Sequence, residues 1–283
     1  MKSNNIRDSP PPLRDYQQVD LAKMQNYEGR AALMVLATGL GKTRIYTEYI
    51  RWDVLNNNHN CLILSHREEL VYQPLTYLED LPCGVDLAGK HAHGEPVISA
   101  SVQSLVGRLD KYNPYEIDTI IVDEAHHAAA PTYRRVLEYF PSAQIFGFTG
   151  TAHRGDGVGL SCVFDDILTE RDTLWGIDNG YLLPMECRQV TLKYDMGSVK
   201  IEEDGDYNQA DIARVMSGTA AGVVEAYSKY ARGPTIIFGS SVDEVKDITA
   251  MLNKKVWAWC CCCCNCQHAK PCADIRGFSA WDS

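Results

Sequence analysis

Short, continuous apolar runs, each followed by a polar or glycine-bearing break and then by a segment of helical period, recur through the first part of this chain. Ala31–Leu36, Cys61–Ser65, Pro96–Ala100, Ile117–Asp123 and Gln144–Phe148 are such runs. They do not alternate polar with apolar, so they predict strands covered on both faces, as in a parallel sheet. Between them, helices are predicted from Leu13 to Met24 and from Lys42 to Leu55, the second with Ile45, Tyr49, Trp52 and Leu55 on its apolar stripe. His66–Leu70 and Ser101–Leu105 open two more. Further on, Glu186–Tyr194 alternates like a strand, residues 207–231 read as two helices, and Pro234–Gly239 as an apolar strand. Ser241 and Glu244 have the spacing of a capping box, ahead of a helix with Val245, Ile248 and Leu252 on one face. Strands alternating with helices predict an α/β fold with a central, mostly parallel sheet.

Composition narrows the class without changing that picture. With 283 residues, 45% apolar and 23% charged, the chain is long enough for one large domain or two modest ones. It shows no apolar core behind a basic start and no run near the length that spans a bilayer, so a cytoplasmic protein without a membrane partner is expected. Six of the eleven cysteines crowd into Cys260–Cys266, and Cys61, Cys83, Cys162 and Cys187 are scattered, which is not a secreted disulfide framework. The net charge of −10 confines any nucleic-acid site to a local basic groove on an acidic body.

The candidate chemistry sits at the ends of the apolar runs. After Leu36 and Ala37 come Thr38, Gly39, Leu40, Gly41, Lys42 and Thr43, at the entry to a helix. Free N–H groups and the positive end of the helix dipole can hold a triphosphate there, and the glycines let the backbone approach it. Lys42 is expected to reach the β- and γ-phosphates and the Thr43 hydroxyl to ligate Mg2+. The general pattern for such a loop has a glycine where this chain has Leu36. The run ending in Val122 delivers Asp123 and Glu124 to a strand end, where one acid can hold magnesium and the other deprotonate an attacking water. Arg14 and Gln17, shortly before the loop, either read an adenine edge or form an ordinary helix face. His66 and Arg67 follow a strand, where open α/β sheets bind ligands. Gln103 and Ser104 either contact a nucleic-acid backbone or cap their helix. Thr149 and Thr151 either sense the phosphate site or serve a turn.

In order, LRDYQ, LATGLGKT, ILSHREEL, SVQSL, IIVDEAHH and FTGTAHRGDG resemble the first RecA-like domain of superfamily 2 helicases with a DEAH-type second motif. The resemblance runs over roughly residues 13–253. It implies a RecA-like P-loop NTPase with ATP and Mg2+ as cofactors, Arg14 and Gln17 in adenine recognition, and Lys42, Asp123 and Glu124 in catalysis. It also implies His126 in coupling, with the Thr149 and Thr151 loop, and His66, Arg67, Gln103 and Ser104 in a nucleic-acid groove. DNA is the partner expected from the HREEL and DEAHH forms, with RNA second. The third motif departs from the family, with Ala152 in place of a proline.

The expected organisation is a flexible lead over 1–12, the ATP-binding domain over 13–172, a hinge and partial second RecA-like domain over 173–253, and an anomalous tail over 254–283. Cys266, His268 and Cys272 are acceptable zinc ligands at an unfamiliar spacing, and adjacent thiols cannot all face one tetrahedral ion. A frameshifted or prematurely ended reading frame after Asn253 is the expectation preferred to a metal site. On that footing the chain is expected to be a weak ATP hydrolase of helicase type. It could equally be a nonenzymatic ATP- and DNA-binding fragment, or half of a split helicase needing its second domain in trans. A P-loop phosphotransferase would share Leu36–Thr43 alone.

Overall fold

The computed structural model describes residues 11–151, 159–190, 196–201, 207–216, 218–233 and 235–255. The first ten residues, Ala152, and the cysteine-rich segment with its candidate zinc ligands lie outside them. The chain divides into two compact units, one through Met185 and one from Glu186.

The first unit is built on a parallel sheet of seven strands: β1 (Ala31–Leu36), β2 (Cys61–Ser65), β3 (Cys83–Asp86), β4 (Val97–Ser101), β5 (Thr119–Asp123), β6 (Gln144–Thr149) and β7 (Asp166–Arg171). Their spatial order is β3-β4-β2-β5-β6-β1-β7. The helices are α1 (Asp15–Gln25), α2 (Lys42–Asn57), α3 (Glu68–Tyr72), α4 (Val102–Leu105), α5 (Pro131–Tyr139) and α6 (Thr173–Asp178). Side chains of successive strand residues alternate between the two faces, and both faces are apolar. Leu33, Val35, Leu62, Leu64, Ile120 and Val122 enter one core. Ala32, Met34, Leu36, Ile63, Ile121 and Phe146 enter the other.

The five strands expected from the sequence are the five inner ones apart from small shifts at their ends. The outermost strands β3 and β7 were not anticipated, for a physical reason. An edge strand needs only one ladder and tolerates polar residues, so DILTER and the four-residue CGVD lack the apolar run that marks an inner strand. Helix α3 also begins later than expected, leaving His66 and Arg67 on the connection before it.

In the second unit the described residues form α7 (Gln209–Met216), α8 (Ala220–Tyr230) and α9 (Val242–Lys255). Ala220, Val224, Ile248 and Leu252 make a small core. The capping reading holds in part: the Glu244 N–H donates to Ser241 Oγ at 3.2 Å. The Glu244 carboxylate, however, accepts from the N–H and hydroxyl of Ser240 rather than from Ser241. The two strands expected here do not form in residues 186–190 and 235–239. An extended segment without a neighbouring ladder leaves its N–H and C=O groups to water. Ile236 and Phe238 are accordingly 80% and 91% exposed.

Phe146 is fully buried against Tyr49, with ring centroids 4.9 Å apart. Phe146→Ala is expected to cost about 3–5 kcal/mol in urea unfolding. Phe238→Ser, on an exposed side chain, is expected to stay within about 0.5 kcal/mol.

Candidate active site

The carboxyl ends of β1, β5 and β6 meet because these strands are neighbours in one register. Met34 pairs with Phe148, and Phe148 with Asp123, so the acid is level with Met34 and the loop after β1 starts at Ala37, three residues further along. That loop turns sharply at Gly39 (φ 90°) and Gly41 (φ 74°), both left-handed. Space forbids side chains there as well: a Cβ on Gly41 would sit 2.5 Å from Gln17 Nε2, and one on Gly39 2.9 Å from Leu182 Cδ2. Leu36, at the position of the missing glycine, is fully buried in the core, so the loop has no need of a bare backbone there. Lys42 lies back over the loop, its Nζ donating to the Leu36 carbonyl at 3.3 Å.

Gln17 braces the loop from α1. Its Nε2 donates to the Leu40 carbonyl at 3.1 Å and its Oε1 accepts from the Arg14 N–H at 2.9 Å. Tyr16 donates to the same Leu40 carbonyl at 2.6 Å. Arg14 is exposed, with its guanidinium 5.7 Å from the Tyr181 ring centroid.

Facing the loop, Asp123 is 6% exposed and accepts from the Tyr46 hydroxyl at 3.3 Å. Burial pushes its carboxyl above the usual range, and the charge of Glu124 adds to the effect. Thr43 also interacts with the Tyr46 hydroxyl, so this tyrosine spans the hydroxyl and carboxylate expected to share a cation. Glu124 has φ 51°, a conformation that costs a non-glycine residue about 1–3 kcal/mol. Its Oε2 lies 3.3 Å from His126 Nδ1, which is 3.4 Å from Thr149 Oγ1. Thr149 in turn donates to the Thr151 carbonyl at 2.9 Å, while the Thr151 side chain is exposed. The two motif loops are thereby tied together.

Of the residues expected at a nucleic-acid groove, Gln103 Nε2 donates to the His66 carbonyl at 3.1 Å, and Arg67 is exposed beside them. Ser104 is half-buried on α4 without joining that contact.

Several neighbours escaped the sequence reading. Tyr46 had a signal, because it follows Thr43 by three residues on one helix face. Trp175 and Tyr181 had none. They stack at 5.5 Å and meet Tyr16 edge-on, and only the fold brings α6 to α1. Arg171 clamps the buried Asp20 with two hydrogen bonds at 2.9 and 3.1 Å and lies over Trp175.

A parallel sheet that sets a glycine-turned helix N-terminus level with paired acids two strands away is the arrangement of a RecA-like P-loop fold. The chain belongs to the family described as type III restriction enzyme, res subunit, which matches residues 11–154, about half of it. It is 35% identical over 231 residues to IRC3 of Saccharomyces cerevisiae, provisionally named an ATP-dependent helicase, covering 74% of this chain and 33% of that protein. The irc3 protein of Schizosaccharomyces pombe, provisionally named a mitochondrial ATP-dependent helicase, is 33% identical over 252 residues, covering 82% and 41%. The chain thus spans a third to two fifths of the length of these relatives. Among solved structures, the helicase domain of Pyrococcus furiosus Hef shares the fold at a TM-score of 0.53 and 18% identity, over 86% of this chain and 53% of that one.

The site generates two expectations about stability. A raised carboxyl pKa means the folded state holds the proton more tightly than the unfolded chain. Ionised Asp123 therefore opposes folding as pH rises above the unfolded carboxylate value of about 3.9. Asp123→Asn is expected to melt above the wild type at neutral pH, with the difference closing as pH falls through the raised value of the folded state and absent below the unfolded one. Among the described residues the buried Tyr133 hydroxyl has no hydrogen-bond partner. Tyr133→Phe is expected to leave stability unchanged or raise it by up to about 1 kcal/mol, and a larger loss would reveal a bound water.

Proposed function

We propose that this chain is the ATP-hydrolysing part of a nucleic-acid-dependent helicase or translocase, acting on DNA first and RNA second. One observation carries the reading: Lys42, Thr43, Asp123 and Glu124 share a carboxyl edge beside a helix N-terminus turned by left-handed glycines. The helicase names of the relatives support it.

In this reading the backbone of Thr38, Gly39, Leu40 and Gly41 cradles the triphosphate and Lys42 swings from Leu36 to the β- and γ-phosphates. Thr43 and Asp123 would hold Mg2+. Bound there, magnesium neutralises charge developing on the phosphate oxygens. Glu124 takes the proton of the attacking water, held in place by His126, with Thr149 and Thr151 joining this pair to the next loop. Gln17 retains one N–H and one lone pair for an adenine edge, and Arg14 flanks it. His66, Arg67, Gln103 and Ser104 face the nucleic-acid backbone.

The exposed Ile236 and Phe238 favour a second reading, in which a further segment, in cis or in trans, completes the second unit and raises turnover. No described helix is long and apolar enough to cross a membrane. We place the protein in the cytoplasm, with the mitochondrial name of one relative marking the alternative that cell fractionation would reveal.

The test is phosphate release from ATP, with and without DNA. DNA-stimulated release is expected in the wild type, reduced roughly a hundredfold or more in Lys42→Ala and Glu124→Gln. Nucleotide binding without release in any arm would replace the hydrolase with an ATP-binding fragment.

A further inference from the structure

His127 follows the acid pair by three positions and has no place in the hydrolysis scheme above. Its ring nevertheless contacts two others. The centroid of His126 lies 4.1 Å away and that of His66 4.6 Å away, each ring tilted by 48°. His66 stands on the connection after β2, and Gln103, at the start of α4, donates to its carbonyl. Ser101 at the end of β4 fixes that glutamine by donating to Oε1 at 2.7 Å. On the other side, His126 lies 3.3 Å from the Glu124 carboxylate. A continuous line of contacts therefore joins the ends of β4 and β2 to the end of β5.

We propose that His127 is a positioning residue, a packed joint through which strand binding at the His66 and Gln103 shelf sets the placement of Glu124. This rests on the hydrolysis and nucleic-acid reading given above. Glu124 is the target of this joint because it is held in a left-handed backbone conformation at the start of a tight turn, Ala125–His127, that carries His126 and His127. A shift of the half-buried His66 ring alters its contact with His127, and through His127 the contact with His126.

The experiment compares wild type, His127→Ala and His127→Phe in the whole chain. ATP turnover is measured with and without a thymidine oligonucleotide, together with oligonucleotide affinity and the imidazole NMR signals of His126. In His127→Ala the stimulated-to-basal ratio is expected to fall at least roughly fivefold, with basal turnover and oligonucleotide affinity kept. The shift of the His126 signals on adding oligonucleotide is expected to vanish as well. His127→Phe, which keeps a flat ring in the stack, is expected to restore both. Equal stimulation in wild type and His127→Ala overturns the joint and leaves the function standing. A wild type that ignores the oligonucleotide in turnover, affinity and NMR overturns the nucleic-acid reading, and the joint with it.

Discussion

Parallel pairing of β1 with β6 and of β6 with β5 aligns Met34, Phe148 and Asp123 in one row, and the carboxyl edge takes its geometry from that alignment. The pairing is held because alternate residues of each strand enter different cores. A slip by one residue would exchange the two faces, pressing Met34 into the space of Leu33 and Asp123 into the space of Val122. Since side chains on both faces are buried, no register but this one fills both cores. The phosphate-type loop and the acid are thus brought level by packing, far from either of them.

That packing leaves the edge electrostatically incomplete. Asp123 is held nearly without solvent beside a second carboxylate, with the Tyr46 hydroxyl and the Glu124 N–H as its hydrogen-bond donors. Lys42 is turned onto a backbone carbonyl. Burial raises the cost of the Asp123 charge, and a cation bound between Asp123 and Thr43 would offset it. The strained backbone of Glu124 sets the second acid 3.3 Å from His126 Nδ1.

The segment after β7 is drawn into the first unit by aromatic packing. Trp175 and Tyr181 close on Tyr16, and Leu182 comes so near the loop that Gly39 has no room for a side chain. The same residues that fix the loop from α1 therefore also anchor the end of this unit. In the second unit the described residues bury a small apolar core between α8 and α9, while the apolar run at Ile236 and Phe238 remains in water.

The inner strands, the glycine loop and the acid pair were legible in the sequence because their signals are local. An apolar run buried on both faces, a glycine beside a lysine and a threonine, and acids after β-branched residues each lie within a few positions. The edge strands were not legible, since one ladder permits the polar residues of β7, and the alternation after Glu186 and the apolar run around Ile236 misled, since neither pattern guarantees a ladder and no strand forms in residues 186–190 and 235–239. Contacts between distant segments were beyond the sequence for a related reason. Tyr16 with Trp175, Asp20 with Arg171, and His66 with His127 depend on strand order, which brings β7 beside β1 and β2 beside β5. The sequence by itself determined which residues carry charge, hydroxyls and glycine freedom. Only the tertiary structure decided which of them touch, because sheet order and register are settled by filling two cores at once and leave no mark on any single stretch of chain.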